Sequence, residues 1–307
     1  MRIFLTGGSG YVGSAVLEAF VRAGHHVDAL VRTPEKAAAV QARGAKPLLG
    51  DLASPSSYAD AAAAADGVVH AAIDYSARGP KLDAAALDVL LAPPSRPGRF
   101  VAYTSGVWVL GNCPTPADET ASLNPAETVA WRPAHEHRVL NTAAMGIRPL
   151  VIRPGLVYGG ARGIVGDVFK DAANSLIRIV GSGENRWPLV YDRDLADLFV
   201  RLASRKDVSG VFHANDEGDE RVNDIVAAIA GYAKTSPSIR HLPLTEARKK
   251  MGPYADALAL DQRVRSPRAH ALGWVPSLRS VSGNIPRLFE ELRRGRLARQ
   301  ELEHHDS

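Results

Sequence analysis

The chain has 307 residues, enough for one large α/β domain or for one domain and a small lobe. Its 37 basic and 33 acidic residues leave a formal charge of +4, too slight a bias for a nucleic-acid-binding surface. A single cysteine, Cys113, excludes an intramolecular disulfide and a cysteine-based metal cluster, and no apolar run approaches the ~20 residues that span a bilayer. The expectation is a cytoplasmic protein with no nucleic-acid, membrane or metal partner.

From the N-terminus, Ile3-Phe4-Leu5 reads as a buried strand and Ser14–Phe20 as a helix. Between them stands Thr6-Gly7-Gly8-Ser9-Gly10-Tyr11-Val12-Gly13. Gly7 permits the tight turn out of the strand, Gly10 lets backbone N–H groups approach a pyrophosphate, and Gly13 lets the helix lie close to the strand. The unpaired N–H groups and partial positive charge of the helix N-terminus complete a phosphate cradle. A glycine pattern in strand–turn–helix context predicts a dinucleotide site.

The second strand, Val27–Val31, closes a βαβ unit. Where an NAD site carries an acid for the ribose 2′-OH, the chain reads Val31-Arg32-Thr33-Pro34. No carboxylate is there to repel a 2′-phosphate, and the Arg32 guanidinium can pair with one, so NADP is preferred over NAD. A helix over 35–43 leads to a strand at Lys46–Gly50 and then Asp51-Leu52. The Asp51 carboxylate either accepts from the adenine amino group or caps the next helix. The alanine-rich stretch 57–65 predicts a helix, followed by a strand Gly67–Ala72. The small Ala71 and Ala72 would pass under the cofactor, and His70 is read as structural. Residues 73–81 form a loop that offers Tyr75 to a substrate.

A helix over 82–92, stopped by Pro93-Pro94, precedes the strand Arg99–Gly106. Residues 111–130 read as a Pro-, Asn- and Asp-rich excursion in which Cys113 is an inert loop thiol. A helix over 133–145, with Pro133 in its first turn, leads to the strand Ile147–Pro154. Beyond it the alternation of strand and helix loosens. A helix at 164–178, Trp187, a helix at 194–203, a strand at 210–214, a helix at 222–233 and a basic helix at 286–303 follow. The predicted organisation is a dinucleotide-binding core over 1–155. Residues 156–307 complete that core at about 190–214 and form a small substrate lobe.

Several motifs then align with one family. Thr6–Gly13 resembles the Thr-Gly-x-x-Gly-x-x-Gly loop of the extended short-chain dehydrogenases, the epimerase/dehydratase-like family. Asp51-Leu52, Val69-His70-Ala71-Ala72, Arg153-Pro154-Gly155-Leu156-Val157-Tyr158-Gly159 and Val190-Tyr191-Asp192-Arg193-Asp194-Leu195-Ala196 are similar to its later segments. The resemblance implies an α/β fold, a Rossmann-type doubly wound parallel sheet with a smaller C-terminal substrate lobe. It implies a cofactor held by Thr6 to Gly13, Arg32, Asp51, Leu52, Ala71, Ala72, Thr104, Pro154 and Val157. It also implies a homodimer through the helices 82–92 and 133–145, whose apolar Leu87, Val89, Leu90, Val139 and Leu140 read as exposed.

The family's chemistry does not carry over with the loop. Its enzymes use a Ser or Thr after the strand at 99–106 and a Tyr-x-x-x-Lys on the next helix, where the lysine lowers the tyrosine pKa. No tyrosine here has a lysine four residues on; Trp131 falls at the tyrosine place and His135 at the lysine place. Indole is a donor only. This pattern resembles the atypical members of the family. His135, one turn after Trp131, is one catalytic candidate because imidazole titrates in the useful range; Ser105 and Tyr158 are the others. Glu136 points about 100° away, toward a salt bridge or the next helix. Trp108, Trp131, Trp187 and Tyr191, with Tyr75, are candidate substrate contacts. The functional expectation is an NADP-dependent oxidoreductase acting on a carbonyl, enone or imine of a small metabolite with a non-standard proton donor. The alternative is a non-catalytic NADP(H)-binding sensor.

Overall fold

The computed structural model describes residues 1–92, 98–160 and 162–305, so the Pro93-Pro94 helix stop lies outside the described residues. The chain begins β1 (Arg2–Thr6), α1 (Tyr11–Arg22), β2 (His26–Val31), α2 (Pro34–Gln41), β3 (Lys46–Leu49), α3 (Ala59–Ala64), β4 (Gly67–His70) and α4 (Gly79–Leu90). It continues β5 (Phe100–Thr104), β6 (Cys113–Ala117), α5 (Arg132–Leu140), β7 (Arg148–Pro154), β8 (Leu156–Tyr158), α6 (Gly163–Ala173), β9 (Leu176–Val180), β10 (Leu189–Tyr191), α7 (Asp192–Ser204) and β11 (Gly210–Ala214). The last third holds α8 (Val222–Tyr232), β12 (Ser238–Leu242), α9 (Leu244–Met251), α10 (Tyr254–Leu258), β13 (Gln262–Val264), α11 (Pro267–His270) and α12 (Ile285–His305).

Seven strands form one parallel sheet in the order β11-β7-β5-β4-β1-β2-β3. The chain moves outward from β1 in one direction through β2 and β3, and in the other through β4, β5, β7 and β11. The crevice beyond the carboxyl ends of β1 and β4 is therefore the topological switch point, where such sheets take their ligands. Alternation along each strand divides the core. Ile3, Leu5, Val69, Leu150 and Ile152 face α1 and α7, where Leu17, Phe20, Leu198 and Phe199 meet them. Phe4, Val68, Val101, Tyr103 and Val151 face the other layer, against Ala62, Leu87, Leu90 and Val139 of α3, α4 and α5. Each such Leu, Ile, Val or Phe contributes about 1.5–3 kcal/mol by its burial.

A second core lies beyond β7. Tyr158, Phe169, Ile177, Trp187, Tyr191, Ile225, Ile229 and Leu288 gather α6, β9, α8 and α12 around two short parallel pairs, β8 with β10 and β9 with β12. Pairing of β6 with β13 ties the two parts together.

The structure departs from the sequence reading at several places. The excursion at 111–130 contains β6, and Cys113 lies on that strand, half-buried, opposite Gln262. Its pairing partner is remote in sequence, so no local pattern announces it. The helix expected over 164–178 stops at Ala173, because Ser175 takes a left-handed conformation (φ 63°) that starts β9. The exposed apolar stripe expected on the paired helices is largely absent. Leu87, Leu90 and Val139 are fully buried against the sheet, and only Val89 and Leu140 stay partly exposed. An amphipathic stripe reads the same whether a sheet or a second subunit covers it. Among the described residues no helix is long and apolar enough to cross a membrane, and no cluster of side chains could hold a metal.

Candidate active site

The β1–α1 turn closes over the end of β4. Gly7 adopts φ +77°, and a Cβ there would lie 2.6 Å from the Ala71 carbonyl group. A Cβ on Gly13 would lie 2.0 Å from the Gly7 carbonyl oxygen, so α1 can start this close to the turn only with glycine at that place. The turn is locked by the Gly10 N–H donating to the Gly7 carbonyl at 2.8 Å. Gly10 sits at the N-cap of α1 and no side chain caps the helix, which leaves its first-turn N–H groups for a ligand. Thr6 steadies the floor, its hydroxyl oxygen accepting from the Ala72 N–H at 3.3 Å. The Tyr11 hydroxyl donates to the Gly159 carbonyl at 2.7 Å and joins this turn to the loop beyond β8. Burial, then the charges of Asp192 and Glu291, push the Tyr11 phenol well up, so it remains a donor.

Arg32 is exposed directly after β2, and Thr33 caps α2 by accepting from the Lys36 N–H. Asp51 accepts from the Ala53 N–H at 2.8 Å, a turn within its own loop, with Leu52 half-buried beside it. At the carboxyl end of β5 the Thr104 hydroxyl is buried and takes no hydrogen bond among the described residues. Glycines that tolerate no Cβ, an uncapped helix start, small residues at the end of β4 and an orphaned hydroxyl at the end of β5 fit a dinucleotide lying along the crevice.

Behind the crevice stands Asp83 of α4. It is 7% exposed and accepts three hydrogen bonds: His70 Nε2 at 3.1 Å, Tyr103 OH at 3.0 Å and His135 Nδ1 at 2.6 Å. Burial pushes the Asp83 carboxyl up, but the bonds from His135 and His70 outweigh that and hold it well below the usual carboxylate range. Burial pushes the Tyr103 phenol well up, which keeps it protonated. His135 keeps only a tenth of its side chain exposed, and the Trp131 ring meets it edge-on at 4.9 Å between centroids. The Arg132 guanidinium lies over Trp131 at 4.6 Å and donates to the Thr104 carbonyl at 2.8 Å.

Glu136, next along α5, turns to β7. Arg153 grips both its oxygens, Nε at 3.0 and 3.2 Å and Nη2 at 2.5 Å, and both side chains are almost wholly buried. The Ser105 hydroxyl also donates to Glu136. Its one proton is therefore engaged inside the protein.

Residues 3–214 match the NAD dependent epimerase/dehydratase family. The chain belongs to that family. A Schizosaccharomyces pombe protein, C2A9.02, is 30% identical over 288 residues, 90% of this chain and 95% of that one. The 2-alkyl-3-oxoalkanoate reductase of Stenotrophomonas maltophilia is 29% identical over 75% of this chain and 76% of its own. Among solved structures, the UDP-glucose 4-epimerase of Thermus thermophilus, complexed with NAD, superposes with a TM-score of 0.77 at 19% identity, over 95% of this chain and 99% of that one. The human epimerase family protein SDR39U1, solved with NADPH, gives 0.71 at 18%, over 94% and 99%. The proteins this chain resembles thus include a reductase, and epimerase-fold proteins solved with NAD or with NADPH.

The other candidate residues of this epimerase/dehydratase chain lie at varied depths. Tyr158 is fully buried in the lobe core against Tyr191, facing Asp216, and burial drives its phenol far up. Tyr191 donates to Glu291 at 2.7 Å, and Trp187 donates to the Leu258 carbonyl at 3.0 Å inside the same core. Trp108 stands at the edge of that core, edge-on to Tyr254 at 5.7 Å. Tyr75 is 90% exposed on the loop after β4. Pro154 is buried at the end of β7, and Val157 is half-buried in β8. The structure thus joins His135 and Trp131 in one group and ties Ser105 to Glu136. Tyr158, Trp187 and Tyr191 lie within the lobe.

Asp83 escaped the sequence reading. The signal for it was present. Asp83, Ala86, Leu87 and Leu90 fall at i, i+3, i+4 and i+7, so an acid occupies the core stripe of α4. A carboxylate there demands buried donors, and His70 and Tyr103, polar residues at the ends of otherwise apolar strands, are those donors.

Proposed function

We propose that this protein is an NADP-dependent carbonyl reductase in which His135, backed by Asp83, replaces the family's tyrosine and lysine as the proton donor. The observation that carries the reading is the 2.6 Å bond between His135 Nδ1 and Asp83 at the position of the missing lysine. An acid–base group has been substituted there rather than deleted, which disfavours a purely non-catalytic cofactor sensor.

When bound, the cofactor supplies or accepts a hydride at a carbonyl, enone or imine carbon. The residues of this chain do the rest. Thr6 to Gly13 hold the pyrophosphate on backbone N–H groups and on the start of α1. Arg32 pairs with the 2′-phosphate, since β2 ends on Val31 and not on an acid, and the nearby Asp74 is turned toward Ser76 and Arg78. Asp51, Leu52, Ala71, Ala72, Thr104, Pro154 and Val157 line the remainder of the crevice. His135, with Nδ1–H turned to Asp83, takes up a proton from solvent on Nε2, delivers it to the substrate oxygen and returns to the neutral ring that Asp83 holds. Ser105, its proton held by Glu136, orients rather than transfers. Trp131 packs on His135, and Trp108, edge-on to Tyr254, and the exposed Tyr75 are the other aromatic groups assigned to the substrate, which suits an apolar or flat ketone better than a sugar diphosphate. The similarity to a 2-alkyl-3-oxoalkanoate reductase supports the same substrate class.

The test is NADPH or NADH consumption at 340 nm with ethyl 2-methylacetoacetate, a panel of cyclic ketones and imines, and UDP-glucose as control. Turnover of a ketone with NADPH is expected. His135→Gln should lower kcat by about 10²–10⁴-fold and leave NADPH affinity within twofold. Tight NADPH binding with no turnover of any compound would favour the sensor reading. Interconversion of a UDP-sugar would overturn the reductase reading in favour of epimerase activity.

A further inference from the structure

The hydrogen bonds on Asp83 belong to a longer pattern. Thr6, His70 and Tyr103 are register partners across three adjacent strands, Thr6 opposite His70 and His70 opposite Tyr103. Because side chains alternate along a strand, all three project from one face of the sheet, toward α4 and α5. The row meets those helices at Asp83 and His135.

The protons in this row can be assigned. Asp83 is ionised and can only accept, so His70 donates from Nε2, Tyr103 from its hydroxyl and His135 from Nδ1. In the neutral ring His70 Nδ1 is then a bare acceptor. The Thr6 hydroxyl, 2.6 Å away, must donate to it, while the Thr6 oxygen accepts from the Ala72 N–H. Every group in the row has a single consistent role. A chain of hydrogen bonds runs from the floor of the nucleotide turn through Thr6 and His70 to Asp83, where it meets the bond donated by His135. Arg132 is engaged with Trp131 and Thr104, and Glu136 with Arg153 and Ser105, so Asp83 is the carboxylate that faces His135. Among the described residues, His135 Nε2 takes no hydrogen bond.

We propose that Asp83 is a positioning residue: held in place by His70 and Tyr103, it fixes His135 as the Nδ1–H tautomer and keeps Nε2 free for proton exchange. The inference deepens the reductase reading and rests on it for its catalytic consequence. Its structural content stands apart. Without such a carboxylate a neutral histidine favours neither nitrogen strongly and its ring can turn over; with it, one nitrogen is committed and the ring plane is set. The Thr6–His70 segment makes that orientation depend on the same turn that receives the cofactor phosphates.

The experiment is ring-nitrogen NMR of the full chain with NADPH bound, using ¹⁵N-histidine and assigning His135 from the signals lost in His135→Gln. The expected wild-type spectrum shows Nδ1 protonated and Nε2 bare in neutral His135, with a slowly exchanging Nδ1 proton. Asp83→Asn should mix or invert the tautomers and release that proton. Tyr103→Phe, a milder change that removes one support from Asp83, should shorten the proton's lifetime without inverting the tautomer. With ethyl 2-methylacetoacetate as probe, Asp83→Asn should lower kcat about 10- to 10³-fold with KM changed less than threefold. A wild-type His135 protonated on Nε2, or an Asp83→Asn spectrum identical to wild type, overturns the proposal. The expected spectra without turnover of any carbonyl would uphold the positioning role and remove the reductase reading.

Discussion

His70 on β4 and Tyr103 on β5 stand opposite each other in register and bond different oxygens of the same carboxylate, that of Asp83. A parallel sheet makes this possible, because neighbouring strands present equivalent positions at a common edge and on a common face. Two polar residues in otherwise apolar strands thereby become a fixed pair of donors. The buried charge they hold is satisfied at three points, the condition under which a carboxylate survives in an interior.

The Glu136–Arg153 pair is the second buried charge of the site and should behave as an obligate couple. Glu136→Gln leaves an uncompensated guanidinium and should cost about 3–5 kcal/mol in urea unfolding. The double variant Glu136→Gln with Arg153→Met should recover most of that loss. A single variant that loses under about 1 kcal/mol would show that the pair is not coupled in this way.

Two helical glycines should respond oppositely to alanine. At Gly13 the new methyl group would lie 2.0 Å from the Gly7 carbonyl oxygen, so the nucleotide turn must move. NADPH affinity, read by cofactor fluorescence, should fall at least about tenfold, with a stability cost of about 1–3 kcal/mol. At Gly231 in α8 nothing lies within 4 Å, and alanine should stabilise by about 0.5–1 kcal/mol without touching cofactor affinity.

Arg32→Ala tests the cofactor preference. Loss of a charge-assisted contact to a 2′-phosphate should weaken NADPH by about 1.5–3 kcal/mol, roughly 10- to 150-fold, and leave NADH almost unchanged. Equal weakening of both in parallel titrations would remove Arg32 from the 2′-phosphate.

Asp216 predicts a pH signature of stability. Burial pushes its carboxyl up to about 7 from an ordinary 3.8, with the Gly218 N–H and Tyr158 acting in the opposite sense. The folded chain thus keeps a proton that the unfolded chain releases. This contribution is fully present below about pH 3.8 and is lost as pH rises through about 7. Asp216→Asn should therefore stabilise the protein at pH 8 by on the order of 1–3 kcal/mol, with the gain shrinking toward pH 4. A gain of the same size at both pH values would contradict the raised carboxyl.

Much of the fold was legible in local pattern. The glycine turn, the alternation of strand and helix to Pro154, and the strand at 210–214 all rest on short-range rules of backbone freedom and apolar periodicity. The late short strands were not legible. β6 pairs with β13 and β9 with β12 across long stretches of chain, and a strand's partner leaves no mark in its own residues. The paired helices misled for a related reason: Leu87, Leu90 and Val139 form a stripe that a sheet or a subunit could cover.

The site divides along the same line. The amino-acid sequence by itself determined the nucleotide turn, the exposed Arg32 after β2 and the replacement of tyrosine and lysine by Trp131 and His135, because each is set by neighbours within a few residues. Only the tertiary structure decided what surrounds His135. Asp83 reaches His135 from another helix 52 residues away, and Thr6, His70 and Tyr103 line up only when three strands are laid side by side. Hydrogen bonds between remote side chains depend on register and on the face a residue takes, and those are properties of the folded sheet.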